Sequence, residues 1–369
     1  IRPPSDLAQI SRRIWQPMKE EMTQSDAKAS AMIACLKFIK NGVTCFASTH
    51  ASGHKSIGRS LDETSSAIEE AGLRAFIGFE ATESTTHAEG ARGMKENVRF
   101  LEKIEKKRKS RVQGLVSLQS SSNSSDELLR HARRVSKRFG APITIHAAES
   151  QMDPQIDLKE HGKRTVKRLY DLDLLSRNTV LFDCVNVNED ELELIKISEA
   201  GVSHNPQGNM LSGVGIAPVP QMLEKRIPVG LGNDGYFFNE FENLRSAYLI
   251  HKLNSQDPRT ITPYQALKMA TIDGARLYGM ENELGSIEKG KLADLIIINP
   301  DSLPTPLRRE NTLRHVINSA RGCDVETVIT DGRLLMHEKR VITLDEEDVI
   351  KKSNKSSKKI WNKLDSIKR

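Results

Sequence analysis

The segment Asp126-Glu-Leu-Leu-Arg-His-Ala-Arg-Arg-Val-Ser-Lys-Arg-Phe139, then Gly140-Ala141, then Pro142-Ile143-Thr144-Ile145-His146-Ala147, decides the fold class. Its first part spaces Leu128, Leu129, Ala132 and Val135 along one helical face, and Gly140 stops the helix. The second part is a short apolar run that reads as a buried strand ending in a histidine. Working outward, this helix–strand unit recurs. The spacing predicts helices over 27–40, 61–71, 93–107, 165–172, 189–200 and 217–225. It predicts strands over Val43–Ser48, Arg74–Phe79, Val112–Leu118, Pro142–Ala147, Val180–Cys184, Val202–His204 and Pro228–Leu231. Such alternation implies parallel pairing through right-handed crossovers. An open doubly wound sheet can use seven strands, but no G-x-G-x-x-G turn follows the first of them. A (β/α)8 barrel needs eight. The expectation is therefore a (β/α)8 TIM-like barrel with its first strand missing. The chain opens Ile1-Arg2-Pro3-Pro4, without an initiator Met or an apolar signal region, and reads as the remainder of a longer one.

After residue 231 the pattern changes. Helices are expected over 240–252, 263–269 and near 274–278. Short strands follow at Ala293–Ile298, Val325–Thr330 and Arg333–Met336, the last two joined by an Asp331-Gly332 hairpin turn. The expected division is a barrel over 1–283, a small and incomplete β-sandwich domain over 284–345, and a basic helical tail over 346–369. The Ser-rich stretch Ser117–Ser125 reads as a loop.

Of the 369 residues, 37% are hydrophobic and 28% charged, which excludes collagen, coiled coil and wholesale disorder. There is no apolar run long enough for a transmembrane helix, so no membrane partner is expected. The net charge of +6 sits largely in the last twenty residues, so the body offers no nucleic-acid surface. Cys35, Cys45, Cys184 and Cys323 are widely spaced and read as reduced thiols of a cytosolic protein.

In a barrel, reactive groups sit at the C-terminal ends of the strands. Those ends carry His50, Gln119, His146 with Glu149, Asp183, His204 and Asp234. A neutral imidazole can bind a metal, and a carboxylate three residues on can move a proton in the same cavity. The plainer reading of His146 and Glu149 is a core histidine and a solvated acid. Asp234 can bind a metal, or Asn233-Asp234-Gly235 can be a tight turn. The polar loop Ser203–Asn209 reads mainly as structural support.

In this order, the segments Asn41–Thr44, Ile143–Glu149, His204–Asn209, Gly213–Pro218, Val229–Gly235 and Ala266–Ala275 resemble the amidohydrolase superfamily. So does the run Leu284-Gly285-Ser286-Ile287-Glu288-Lys289-Gly290-Lys291-Leu292-Ala293-Asp294-Leu295. The nearest branch is the chlorohydrolase and cytosine-deaminase-like group, close to the SsnA-type aminohydrolases. The resemblance implies hydrolysis of carbon–nitrogen bonds other than peptide bonds, in particular deamination of a small heterocyclic substrate. It implies one divalent metal, zinc foremost with iron or manganese as alternatives, and a cytoplasmic homodimer. It assigns His146 and Asp234 as metal ligands, Glu149 as acid/base and Asp234 also as proton acceptor. Gln119 and His50 fall to substrate binding.

Three departures stand out. The family's H-x-H pair is absent from this chain. Its strand-six motif, of the form A-H-C-V-H, is here Phe182-Asp183-Cys184-Val185-Asn186, so Asp183 takes the place of an assisting imidazole. Its strand-four histidine is Gln119. Three carboxylates in one pocket should raise one another's pKa values unless a cation offsets them. Two surviving ligands are fewer than the three or more of catalytic zinc sites, so weak metal binding is expected. The competing expectation is a non-catalytic relative whose barrel serves as a binding or assembly module.

Overall fold

The computed structural model describes residues 4–53, 56–107 and 110–367. Eight parallel strands make one curled sheet: β1 (Cys45–His50), β2 (Arg74–Ala81), β3 (Val112–Gly114), β4 (Val116–Ser120), β5 (Ile143–Ala147), β6 (Thr179–Asp183), β7 (Gly201–His204) and β8 (Val229–Leu231). The order is β1-β2-β4-β5-β6-β7-β8, with β3 also on β2. Each expected strand is present, within a few residues. The exception in kind is the run at 112–118, which is broken at Leu115 into two strands. Among the described residues no strand pairs with the outer edges of β1 and β8. The sheet is thus a barrel of the TIM type left open where a first strand would close it.

Local chemistry fixes the helices that return the chain between strands. Ser125 accepts from the Leu128 amide to start helix Asp126–Phe139, and Gly140 ends it in the left-handed conformation at φ 62°. Thr23 with Asp26, and Asn188 with Glu191, form capping boxes for helices Gln24–Lys40 and Glu189–Ile197. Helical segments without a sequence expectation include Leu7–Glu21, Met152–His161, Pro206–Ser212 and Thr312–Asn318. Gln119 and Ser120, expected in a loop, lie in β4, which Ser117 and Leu118 also join as the strand expectation had them; only the following serines form the turn. The loop reading followed serine content, whereas Val116 and Leu118 carry the strand into the core.

The small β part is one four-stranded antiparallel sheet, adding β9 (Leu295–Ile298), β10 (Val325–Thr330), β11 (Arg333–His337) and β12 (Arg340–Val341). Asp331 and Gly332 both have positive φ, as a hairpin turn of the mirror-image type requires. Two apolar clusters result. One lies under β4–β8. The other joins helix Gln24–Lys40 and β2 to Val325, Val328, Leu335 and Met336 of the small sheet. The basic tail is a helix, Glu346–Ile367, seated on helix Gln24–Lys40, where Ser356 and Lys359 both bond Asp26. Among the described residues no helix is long and apolar enough to cross a membrane.

Candidate active site

The C-terminal strand ends, the loops after them and helical residues from Leu7 to Lys19 line a cavity of about 1580 Å³. His50, Gln119, His146, Glu149 and Asp234 all line it. Asp183 does not. Both Asp183 and Cys184 are left-handed, at φ 72° and 48°, and the Asp183 carboxylate is buried behind His146. The four groups expected to share a pocket are therefore three on its wall and one beneath.

His146 Nδ1 lies 2.9 Å from Asp183 Oδ2 and 3.9 Å from Glu149 Oε2. Burial pulls its pKa down, but the bond to Asp183 and the charges of Asp183, Glu149 and Glu80 outweigh that and raise it to about 10. Ala148, left-handed at φ 50°, swings the chain so that Glu149 reaches the cavity. The Asn186 amide secures that turn by donating to the Glu149 carbonyl at 2.8 Å. Burial, then Asp183, push the Glu149 carboxyl well above its usual range. Asp234 is also left-handed, at φ 54°, and follows β8 after Gly232 and Asn233. Burial and then Asp183 raise its pKa to about 7, and its buried Oδ2 has no hydrogen-bond partner. At Glu149 and Asp234 the upward push expected from crowded carboxylates thus comes from burial first and from the Asp183 charge second.

Gln119 accepts at Oε1 from the Thr82 hydroxyl (2.5 Å) and the Asn123 amide (3.3 Å), which leaves its own amide group for the cavity. His50 closes β1 with a buried, unpartnered Nε2, and burial lowers its pKa to about 4. His204 is support: its Nε2 meets His251 Nε2 at 3.1 Å, and burial holds it well below its ordinary pKa.

Sequence reasoning missed Glu80 and Lys19. Glu80 extends β2 one residue beyond the expected strand end, lines the cavity and pairs with Lys19 at 2.8 Å. The first polar residue after an apolar run was the available signal. Lys19 had none, because its role rests on a contact across 61 residues.

The donor set fits a divalent cation. Ligand atoms of His146, Glu149 and Asp183 lie within 4.8 Å of one another, and the cavity-lining Asp234 keeps an orphaned oxygen. An excess of buried carboxylate is what a bound cation would relieve.

Residues 5–335 match the model of the amidohydrolase family. A 5'-deoxyadenosine deaminase of Methanosarcina acetivorans is 32% identical over 95% of this chain and 79% of its own. A 5-methylthioadenosine/S-adenosylhomocysteine deaminase of Syntrophomonas wolfei is 33% identical over 96% and 80%. The chain belongs to the amidohydrolase family. The recognition made from sequence, the barrel-type fold and the reading as a deaminase-class hydrolase are thereby borne out, and the amidohydrolase family is metal-dependent. An adenosine deaminase from Xanthomonas campestris with bound zinc superposes with TM-score 0.87 over 98% of this chain and 81% of its own, at 18% identity. A zinc complex of the atrazine chlorohydrolase from Arthrobacter aurescens gives 0.79 over 96% and 80%, also at 18%. At that identity they speak for the amidohydrolase fold alone.

Proposed function

We propose that this amidohydrolase removes the exocyclic amino group of an adenine nucleoside with a modified 5' position. The observation that carries the reading is the meeting of His146, Glu149 and Asp234 on one cavity at the strand ends. The names of the relatives support the substrate class. A divalent cation, zinc foremost, held by His146 and Asp234 would supply Lewis acidity and a more acidic water. The protein's own part is proton handling and orientation. Asp234, on the cavity wall with an oxygen that has no hydrogen-bond partner, is placed to take a proton from the attacking water. Glu149, whose carboxyl burial and Asp183 push above its usual range, delivers a proton to the ring nitrogen and then serves the departing amine. The free amide of Gln119 and the imidazole of His50 contact the substrate.

Ammonia release from adenosine, 5'-deoxyadenosine and 5'-methylthioadenosine by the purified chain, with added zinc, tests the reading. Turnover lost by about a hundredfold or more in Glu149→Gln supports it. No release above blank with any of them sinks it. A second reading, a binding module without chemistry, draws on Asp183, which stands outside the cavity where an imidazole was expected. Nucleoside binding by calorimetry without ammonia release favours that reading.

A further inference from the structure

Resting on that reading of the cavity, we propose that Asp183 is a positioning residue rather than a reacting one. It grips His146 at Nδ1 and leaves Nε2 to face the cavity, while the segment Ser203–Asn209 holds both Asp183 and Asp234 in place.

Asp183 is 1% exposed, and an ionised carboxylate can only accept hydrogen bonds. It accepts three: from His146 Nδ1 at 2.9 Å, Asn205 Nδ2 at 2.7 Å and Asn209 Nδ2 at 3.0 Å. An imidazole has at most one acceptor nitrogen and cannot receive two amides and an N–H. Asp183, Asn205 and Asn209 therefore make one matched set. The orientation of Asn205 is fixed as well. Its Oδ1 accepts from the Ser203 hydroxyl at 3.2 Å, so its NH2 is the end that meets Asp183. Its Oδ1 also packs so close to Gly232 that a Cβ there would lie 2.2 Å away.

The same segment bears on Asp234. A Cβ at Gly208 would come within 2.5 Å of the Asp234 Cβ and 2.6 Å of its Oδ2. One short stretch after β7 thus sets the place of the carboxylate on the cavity wall and of the carboxylate behind it. With Nδ1 engaged by Asp183, Nε2 is the ring nitrogen of His146 free for a cation. A cation lodged instead among Nδ1, Glu149 and Asp183 would have to break the Asp183–His146 bond, and to draw the carboxylate from two amides.

The test is nuclear magnetic resonance of the full 369-residue chain with 15N-labelled histidine, first without metal and then with 113Cd. In the metal-free chain the His146 Nδ1–H is expected as a low-field proton protected from exchange. Asp183→Asn keeps the volume but must turn its NH2 either to the two asparagine amides or to the imidazole N–H. Exchange should then be roughly tenfold to a hundredfold faster, the loss of a charge-assisted bond. Asn209→Ala removes one of the three bonds and serves as the second variant if Asp183→Asn does not fold; it should speed exchange in the same direction. With cadmium, scalar coupling is expected at Nε2, with the Nδ1 proton retained. An unprotonated or unprotected Nδ1 in the native chain, protection unchanged in a folded variant, or coupling at Nδ1 overturns the assignment. A chain that deaminates nothing yet shows the protected Nδ1–H keeps this assignment and loses the proposed activity.

Discussion

At the scale of single residues, the site was legible where a polar side chain ends an apolar run. His146, Glu149 and Asp234 all announce themselves that way, because a buried strand rarely ends in an unpaired charge without reason. Asp183 ends its strand too, but sequence does not show the left-handed turn that takes it behind the cavity. Glu80 was hidden by one residue of strand length, and Lys19 by distance along the chain. Gly208→Ala tests how tightly these residues are placed. The new methyl would meet Asp234 at Cβ, not at the yielding end of a long side chain. We expect about 1–3 kcal/mol of lost stability, the ordinary cost of overpacking. Ammonia release should fall with it, as a displacement of Asp234 requires; a variant with native melting and native turnover would remove Asp234 from the site. The proposed ligand set also makes a prediction about metal content. On the proposed assignment of His146 and Asp234 as the two ligands on the cavity wall, dialysis against a chelator should strip the chain to well below one metal per molecule. About one tightly held ion per chain by elemental analysis would show that further residues bind it.

Among the elements, the apolar runs became strands because strand propensity and burial agree there. The departure at 112–118 has a packing cause. The break falls at Leu115, whose Cδ1 and carbonyl oxygen would lie 2.4 Å and 2.6 Å from a Cβ on Gly78. Leu115 is 1% exposed, and its amide donates to the Ile77 carbonyl across the break. Two elements that each read as plain strands thus meet where one lacks a side chain and the other bulges to fill the space, and that pairing is not written in either run alone. Gly78→Ala should force β2 and β4 apart just below Glu80 and Gln119. Calorimetry is expected to show a loss of about 1–3 kcal/mol, with nucleoside affinity reduced as well. A fully stable variant would mean that the break at Leu115 has another origin.

For the whole molecule, the sequence conveyed the barrel and the appended sheet but not how the parts lock together. The tail helix read as a solvated basic surface. In the structure Ser356 and Lys359 share Asp26, and Lys363 pairs with Glu21, contacts that no local pattern can foretell. Two buried ionisable groups that the proposed chemistry does not use, His251 and the cavity-lining Glu240, make the global stability depend on pH in two opposing ways. Burial lowers the pKa of His251 from 6.5 to about 4. The unfolded chain takes up that proton first, so this group removes stability as pH falls from 6.5 to about 4. Burial raises Glu240 from 4.5 to about 7, so the folded chain binds its proton first, and this group adds stability as pH falls from about 7 to 4.5. In the native chain the two largely cancel, and a single melting curve would conceal both. Differences between variants separate them. His251→Asn loses a buried contact to His204 and should be less stable at pH 7.5. Its deficit should shrink by up to about 3 kcal/mol by pH 4, because the native chain alone carries the imidazole penalty. Glu240→Gln should run the other way, with its best stability relative to the native chain above pH 7 and that advantage fading by pH 4.5. Denaturant unfolding of all three chains across this range reads both slopes. Curves that stay parallel would mean that neither group keeps its proton count different between the folded and unfolded chain.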